Sequence, residues 1–266
     1  MRIWGKIFGA LFGFAAGRFV GLIIGLWLGH RFDKALERHA LVGLFQSPGS
    51  QKQFLITTFA VMGHVAKANG KVSQQEIQVA SILMDRMGLR GEIRDEAQQA
   101  FNQGKESDYP LEEKIEVLVA LVKGRHDLLQ MFLEVQLQSA FADGEVDSAE
   151  REVLGRVASS LGFDEQVLDS LIARWEAEFK FHQQHGRQQT AADSASALKQ
   201  AYQILDVAES DTDQQVKRAH RKLMSQHHPD KLVAKGLPPE MMEIANQKAQ
   251  DIQQAYELIK KQRGMR

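Results

Sequence analysis

From Ile7 to Gly29 the chain runs for 23 residues with a single charge, Arg18. Crossing a bilayer core takes roughly 20 apolar residues in a helix, because lipid offers no hydrogen bonds and a helix satisfies its own backbone. This run predicts a transmembrane helix over residues 7–30, preceded by a short tail, 1–6. A cleaved signal peptide is the competing reading, since Arg2 and Lys6 precede the apolar run. Signal h-regions span only about 7–15 residues and end at a small-x-small site that is not evident here, so the uncleaved anchor is preferred.

From just before that run to its end, Gly5, Gly9, Gly13, Gly17, Gly21, Gly25 and Gly29 recur at every fourth position. Glycine is about 1 kcal/mol worse than alanine in a water-exposed helix, so seven in phase need a reason. In lipid, small residues spaced by four let two helix backbones approach closely. The stripe advances about 40° per step, so a steep crossing uses only part of it. Gly9, Gly13, Gly17, Gly21 and Gly25 are therefore the expected face of a transmembrane homodimer. Arg18, near mid-span, must snorkel or face a partner or a headgroup. Arg2 and Lys6 on one side are balanced by Arg31, Lys34 and Arg38 on the other, so charge alone leaves the orientation open.

After a juxtamembrane segment, 31–52, the pattern is helical throughout 53–180, with breaks near Gly70, Gly88, Gly104, Gly124, Gly144 and Gly162. Five prolines and abundant Ala, Leu, Gln, Glu and Lys agree with an all-α protein. The formal net charge of −1 gives no basic field for nucleic acid, and the absence of cysteine excludes disulfides and thiolate chemistry. An internal repeat appears at an offset of 74: Ala68-Asn69-Gly70-Lys71-Val72 matches Ala142-Asp143-Gly144-Glu145-Val146, Glu76 matches Glu150, and Met87-Gly88-Leu89 matches Leu161-Gly162-Phe163. Two helix-turn-helix units related by a pseudo-twofold would produce it. In each copy glycine ends one helix, and Ser73-x-x-Glu76 or Asp147-x-x-Glu150 caps the next. The second copy also mimics half of a calcium loop. The leading ligand positions, however, fall on Ser139 and Phe141, and on Val65 and Lys67 in the first copy. Capping is preferred over metal binding. Through these paired motifs the segment resembles the TerB-like helical domain, which implies an all-helical bundle serving as an interaction module.

Residues 181–197 turn polar and Gln- and Ala-rich, which predicts a flexible linker in which His182 and His185 are solvated rather than metal-ligating. Over 198–266 the apolar spacing returns. Ala201, Tyr202 and Leu205 mark a short helix, and Val216, Ala219 and Leu223 a longer one from Asp211 to Gln226. Pro229 stops that helix, a loop follows over Lys231–Leu237, and Pro238-Pro239-Glu240 signals the next start. The last helix presents Ala245, Ala249, Ile252, Ala255, Tyr256 and Ile259 on one face. Two such helices pack antiparallel, with His228-Pro229-Asp230 at the tip.

This segment resembles the J domain of the DnaJ family through Tyr202-Gln203-Ile204-Leu205, Lys217-Arg218-Ala219-His220-Arg221-Lys222-Leu223, His228-Pro229-Asp230-Lys231 and Gln254-Ala255-Tyr256-Glu257. The resemblance implies that His228, Pro229 and Asp230 contact an ATP-loaded DnaK-type chaperone and trigger hydrolysis there. Lys217, Arg218, Arg221 and Lys222 form a cationic stripe suited to steering onto an acidic partner. His220 stands where the family often carries tyrosine, a departure expected to re-tune docking. The order of anchor, TerB-like segment, linker and J-like segment resembles the membrane-anchored DnaJ-like co-chaperones of the bacterial inner membrane. That implies a periplasmic N-terminus and a cytoplasmic bulk. A Gly/Phe-rich region, a zinc module and a substrate-binding domain do not follow the J-like segment, so direct client binding is not expected by the usual route. A membrane scaffold acting through the TerB-like segment is the alternative. No nucleophile–base pair, phosphate loop or metal motif suggests an enzyme, and no cofactor is expected.

Overall fold

Apolar residues on every side of one segment, Pro48–Ala66, make it a helix that must be enclosed rather than laid on a surface. In the computed structural model, which describes residues 47–122, 125–185 and 191–265, this α1 buries Phe54, Leu55, Phe59, Val61, Met62 and Val65. All but a few of the described residues belong to one compact unit, Gln51–Arg266. The transmembrane helix with its glycines, and nearly all of the juxtamembrane segment, lie outside the described residues. Among the described residues no helix is long and apolar enough to cross a membrane.

That unit continues with α2 (Gln74–Arg86), α3 (Glu92–Gly104), α4 (Leu111–Leu121), α5 (His126–Ala140), α6 (Ser148–Leu161) and α7 (Glu165–His185). A shift of 74 residues carries α2 onto α6 and brings α1 and α3 onto α5 and α7, so the sequence repeat is a repeat of three helices, with α4 as the connector. Buried α5 matches buried α1, and Phe54 meets Phe132 edge-on with ring centroids 5.8 Å apart. Both capping boxes form as expected: Ser73 and Asp147 accept from the amides of Glu76 and Glu150, whose carboxylates accept from the Ser73 and Asp147 amides. The two turns also touch, Asn69 Nδ2 donating to Asp147 Oδ2 at 2.9 Å. At Gly144 the backbone has φ +99°, a left-handed conformation that a side chain would strain.

Helices α1 and α3 cross at two glycines. A methyl group on Gly63 would overlap the Phe101 carbonyl, and one on Gly104 the Ala60 carbonyl. Both obstacles are backbone, so neither can rotate away. Gly104→Ala should therefore force the helices apart and destabilise the bundle by roughly 1–3 kcal/mol, the usual range for overpacking. A urea midpoint unchanged from the parent would refute this close crossing.

The C-terminal part comprises α8 (Ala191–Ile204), α9 (Asp213–His227), a short α10 (Pro229–Ala234) and α11 (Met242–Arg263). A capping box at Thr212 and Gln215 starts α9. Two sequence expectations are corrected. Lys231–Leu237, expected as a loop, begins as the end of α10, because Pro229 at the first helical turn and the His228 ring acting as cap nucleate a helix there. Residues 181–197, expected as a linker, are helical at both ends, with 186–190 outside the described residues. The reason is apolar contact: Ala177 and Phe181 of α7 share one core with Ala197, Ala201, Leu205, Val216, Leu223, Ile252 and Ile259. The TerB-like and J-like segments thus belong to one compact unit. His182, half exposed, lies in α7 rather than a linker, and its Nε2 lies 3.2 Å from Asp251 Oδ1 of α11, which raises its pKa.

Candidate functional site

Helix α9 ends at His227 because proline at 229 excludes helical geometry from the residue before it. His228 accordingly has φ −63° and ψ +122°. Its ring turns back, Nδ1 accepting from the Asp230 amide at 3.2 Å. The side chains that would meet a partner remain accessible, His228 at 43% and Asp230 at 86% exposure. Lys231, next in line, is pinned to α9 by a 2.8 Å hydrogen bond from Nζ to Ser225 Oγ. The result is a solvent-facing imidazole and carboxylate on a bend that proline stiffens.

The four basic residues expected on this helix do share its outer side. Arg218, Arg221 and Lys222 are exposed and Lys217 is partly so. Arg221 Nε donates to the Lys217 carbonyl at 3.2 Å, which lays its guanidinium along the helix. Lys222 also borders a groove of about 500 Å³ whose far wall includes Phe163, Asp164 and Val167. His220, expected only as a departure from the family's tyrosine that would re-tune docking, has a structural part. Its ring stacks on Tyr256 with centroids 4.1 Å apart and planes within 9°, and Nε2 meets Gln253 Oε1 at 3.0 Å. It braces α9 against α11, and burial lowers its pKa.

Sequence reasoning missed the charges beneath this loop. Lys248 of α11 donates to Glu178 Oε2 of α7 at 2.6 Å, both side chains almost fully buried, and its ammonium lies 4.1 Å from the Trp175 ring centre. Glu134 of α5 is approached by Arg174 Nη1 at 3.9 Å and by His227 Nδ1 at 3.5 Å. Burial pushes the Glu134 carboxyl up, but the neighbouring charges outweigh it and leave it below the usual range. The pull of His227 acts only while that ring is protonated; Lys248 and Arg174 act throughout. A further missed residue, Arg263, ties the end of α11 to the α8–α9 turn by donating to the Asp211 and Glu209 carbonyls at 2.6 and 2.7 Å and to the Tyr202 hydroxyl at 2.7 Å. Lys248 and Glu178 stand 70 residues apart, so no local spacing announces their pairing.

Comparison with known proteins agrees with this layout. Family models match for the "Co-chaperone DjlA transmembrane domain" over residues 1–39, for "Tellurite resistance protein TerB" over 55–173 and for the "DnaJ domain" over 200–264. The co-chaperone protein DjlA of Shewanella oneidensis is 54% identical over the whole of both chains. That of Photobacterium profundum is 51% identical over 99% of this chain and all of its own, and that of Salmonella paratyphi A is 47% identical over the whole of both. The chain belongs to the DjlA co-chaperone family. It is a membrane-anchored co-chaperone built from an anchor, a TerB domain and a J domain. No solved structure matches it.

Burial pushes the His227 imidazole down to about 4, from near 6.5 in an unfolded chain, so the folded state holds the neutral ring. A base depressed in this way contributes stability above its unfolded pKa and loses it as pH falls toward the folded one. Between about pH 6.5 and 4 the packing beneath the loop should weaken, and His227→Gln should remove that share of the acid sensitivity. Urea unfolding of both proteins near pH 7 and near pH 5 decides it: an identical loss in each would refute this assignment.

Proposed function

We propose that this chain stimulates the ATPase of a DnaK-type chaperone through its J domain and hydrolyses nothing itself. The observation that carries the reading is the exposed His228-Pro229-Asp230 bend at the end of a helix whose outer face holds Lys217, Arg218, Arg221 and Lys222. The cationic stripe steers the encounter, and Asp230 accepts charge-assisted hydrogen bonds from a basic group of the chaperone. Pro229 and the His228 cap keep the bend formed beforehand, so little ordering is needed on binding. The test is the steady-state ATP turnover of a DnaK-type chaperone with and without the full-length chain in detergent micelles. Turnover that stays at its basal rate would refute the proposal.

The anchor fits a single-pass protein of the bacterial inner membrane, with residues 1–6 periplasmic and the bulk cytoplasmic, where the chaperone and ATP reside. Dimerisation through Gly9, Gly13, Gly17, Gly21 and Gly25 would place two J domains together and raise their effective concentration at the membrane. Replacing Gly13 and Gly17 by leucine should abolish self-association in a membrane two-hybrid assay; an unchanged signal would remove the glycine stripe from the account.

A further inference from the structure

Helix α5 of the TerB domain reaches both shoulders of the His228-Pro229-Asp230 loop. Asp127, in its first turn, ion-pairs with Lys235, which caps the C-terminal end of α10. Two turns later Glu134 faces His227, the residue immediately before His228, at 3.5 Å. Seven helical residues advance about 10 Å and return to nearly the same side, so the two carboxylates lie on one face of α5. They span a loop whose own secondary structure is a bend and a six-residue helix. Glu134 does not drift: Gln130 Nε2 donates to its other oxygen at 2.9 Å, and Arg174 stands beside it. The hairpin's inner flank is therefore fastened to a second domain, while the His228 and Asp230 side chains stay open to solvent.

A loop held by an ion pair at one end and packed against Glu134 at the other surrenders less conformational freedom when a partner seizes its middle. We propose that Asp127 and Glu134 are positioning residues for the chaperone-facing loop, acting through Lys235 and His227, so that the TerB domain sets how tightly the J domain engages its partner. The proposal rests on the chaperone-docking reading of that loop. It gives the TerB domain a part in the co-chaperone reaction itself.

The test uses the full-length chain in detergent micelles, titrated into a DnaK-type chaperone while ATP turnover is followed. Asp127→Asn should raise the half-saturating concentration by about fivefold, the scale of one or two ordering terms, and leave the plateau and the thermal unfolding midpoint unchanged. Asp127→Lys should do so more strongly, and adding Lys235→Asp should restore the parent value. Glu134→Gln should act in the same direction, but because it also disturbs buried charges the Asp127 series carries the decision. In hydrogen exchange, the amides of residues 231–237 should exchange several-fold faster in Asp127→Asn than in the parent. An unchanged or lowered half-saturating concentration, or a loss confined to the plateau, would overturn the proposal. A parent chain without any stimulation would overturn the docking reading instead, and the exchange experiment, which needs no partner, would then judge the clamp alone.

Discussion

Asp230→Asn is expected to abolish stimulation of a DnaK-type chaperone's ATPase while leaving the fold intact. The substitution preserves shape and removes only the charge. In the free chain that charge supports little: the side chain is 86% exposed, and its nearest ionic neighbour, His228 Nδ1, stands 3.9 Å away. The hydrogen bond that shapes the bend uses the Asp230 backbone amide, which asparagine keeps. Stability should therefore change by less than about 0.5 kcal/mol, as for most surface positions. At a docked interface the loss should be far larger. Truncating one side of a desolvated, hydrogen-bonded charge pair is worth about 2–5 kcal/mol, so stimulation should fall by at least tenfold at any fixed concentration. The check is ATP turnover beside thermal unfolding of the same preparation. Full stimulation by the variant would remove the bend from the mechanism. His228→Gln should show a similar loss, joined by a small destabilisation, because its ring also caps α10. The variant also tests scaffolding better than a deletion of residues 198–266 could. Deletion would strip the partners from Ala177 and Phe181 and disturb the TerB domain as well.

The largest effect on stability is expected at Lys248. Replacing it by methionine leaves the buried Glu178 carboxyl without its cation at 2.6 Å, and Glu178 Oε1 already lacks a hydrogen-bond partner. Breaking a buried ion pair from one side typically costs about 3–5 kcal/mol. For a unit of this size that corresponds to a fall of roughly 10 °C in the unfolding midpoint. Two controls separate charge from volume. Burial already raises the pKa of Glu178, so the deficit should shrink as pH falls and the carboxyl takes up a proton. Adding Glu178→Leu to the variant should recover most of the loss, since an apolar pair of similar volume needs no desolvation. A fall below about 1 kcal/mol in the single variant would mean that the pair is well hydrated and contributes little.

Much of this molecule is written locally. The capping boxes at Ser73 and Asp147 depend on residues three apart, and the α9 stop depends on the proline after His228, so both were legible and both formed. The 74-residue repeat was legible as paired motifs, and the structure extends it to three helices per copy. The four cations of α9 were legible because a helix places residues three and four apart on one side. Other readings failed for a common reason. Residues 181–197 look like a linker because their local pattern is polar, yet Phe181 and Ala197 bury against residues far along the chain. His220 was legible only as a departure from the family's tyrosine; that its ring stacks on Tyr256 of the neighbouring helix depends on tertiary packing. Arg263 carried no signal at all, since the carbonyls it holds lie more than 50 residues away.

By itself the sequence determined an apolar anchor, a set of capped helices and a basic helix ending in His-Pro-Asp, all of them consequences of backbone geometry and of side chains within a turn of one another. Only the tertiary structure decided that the TerB and J domains share a core and that Glu134, Glu178, Arg174, His227 and Lys248 meet in its seam. Charges far apart in sequence are ordinary solvated residues until folding removes their water. Their pairing is then set by which helix faces are pressed together, and that depends on the packing of the whole unit.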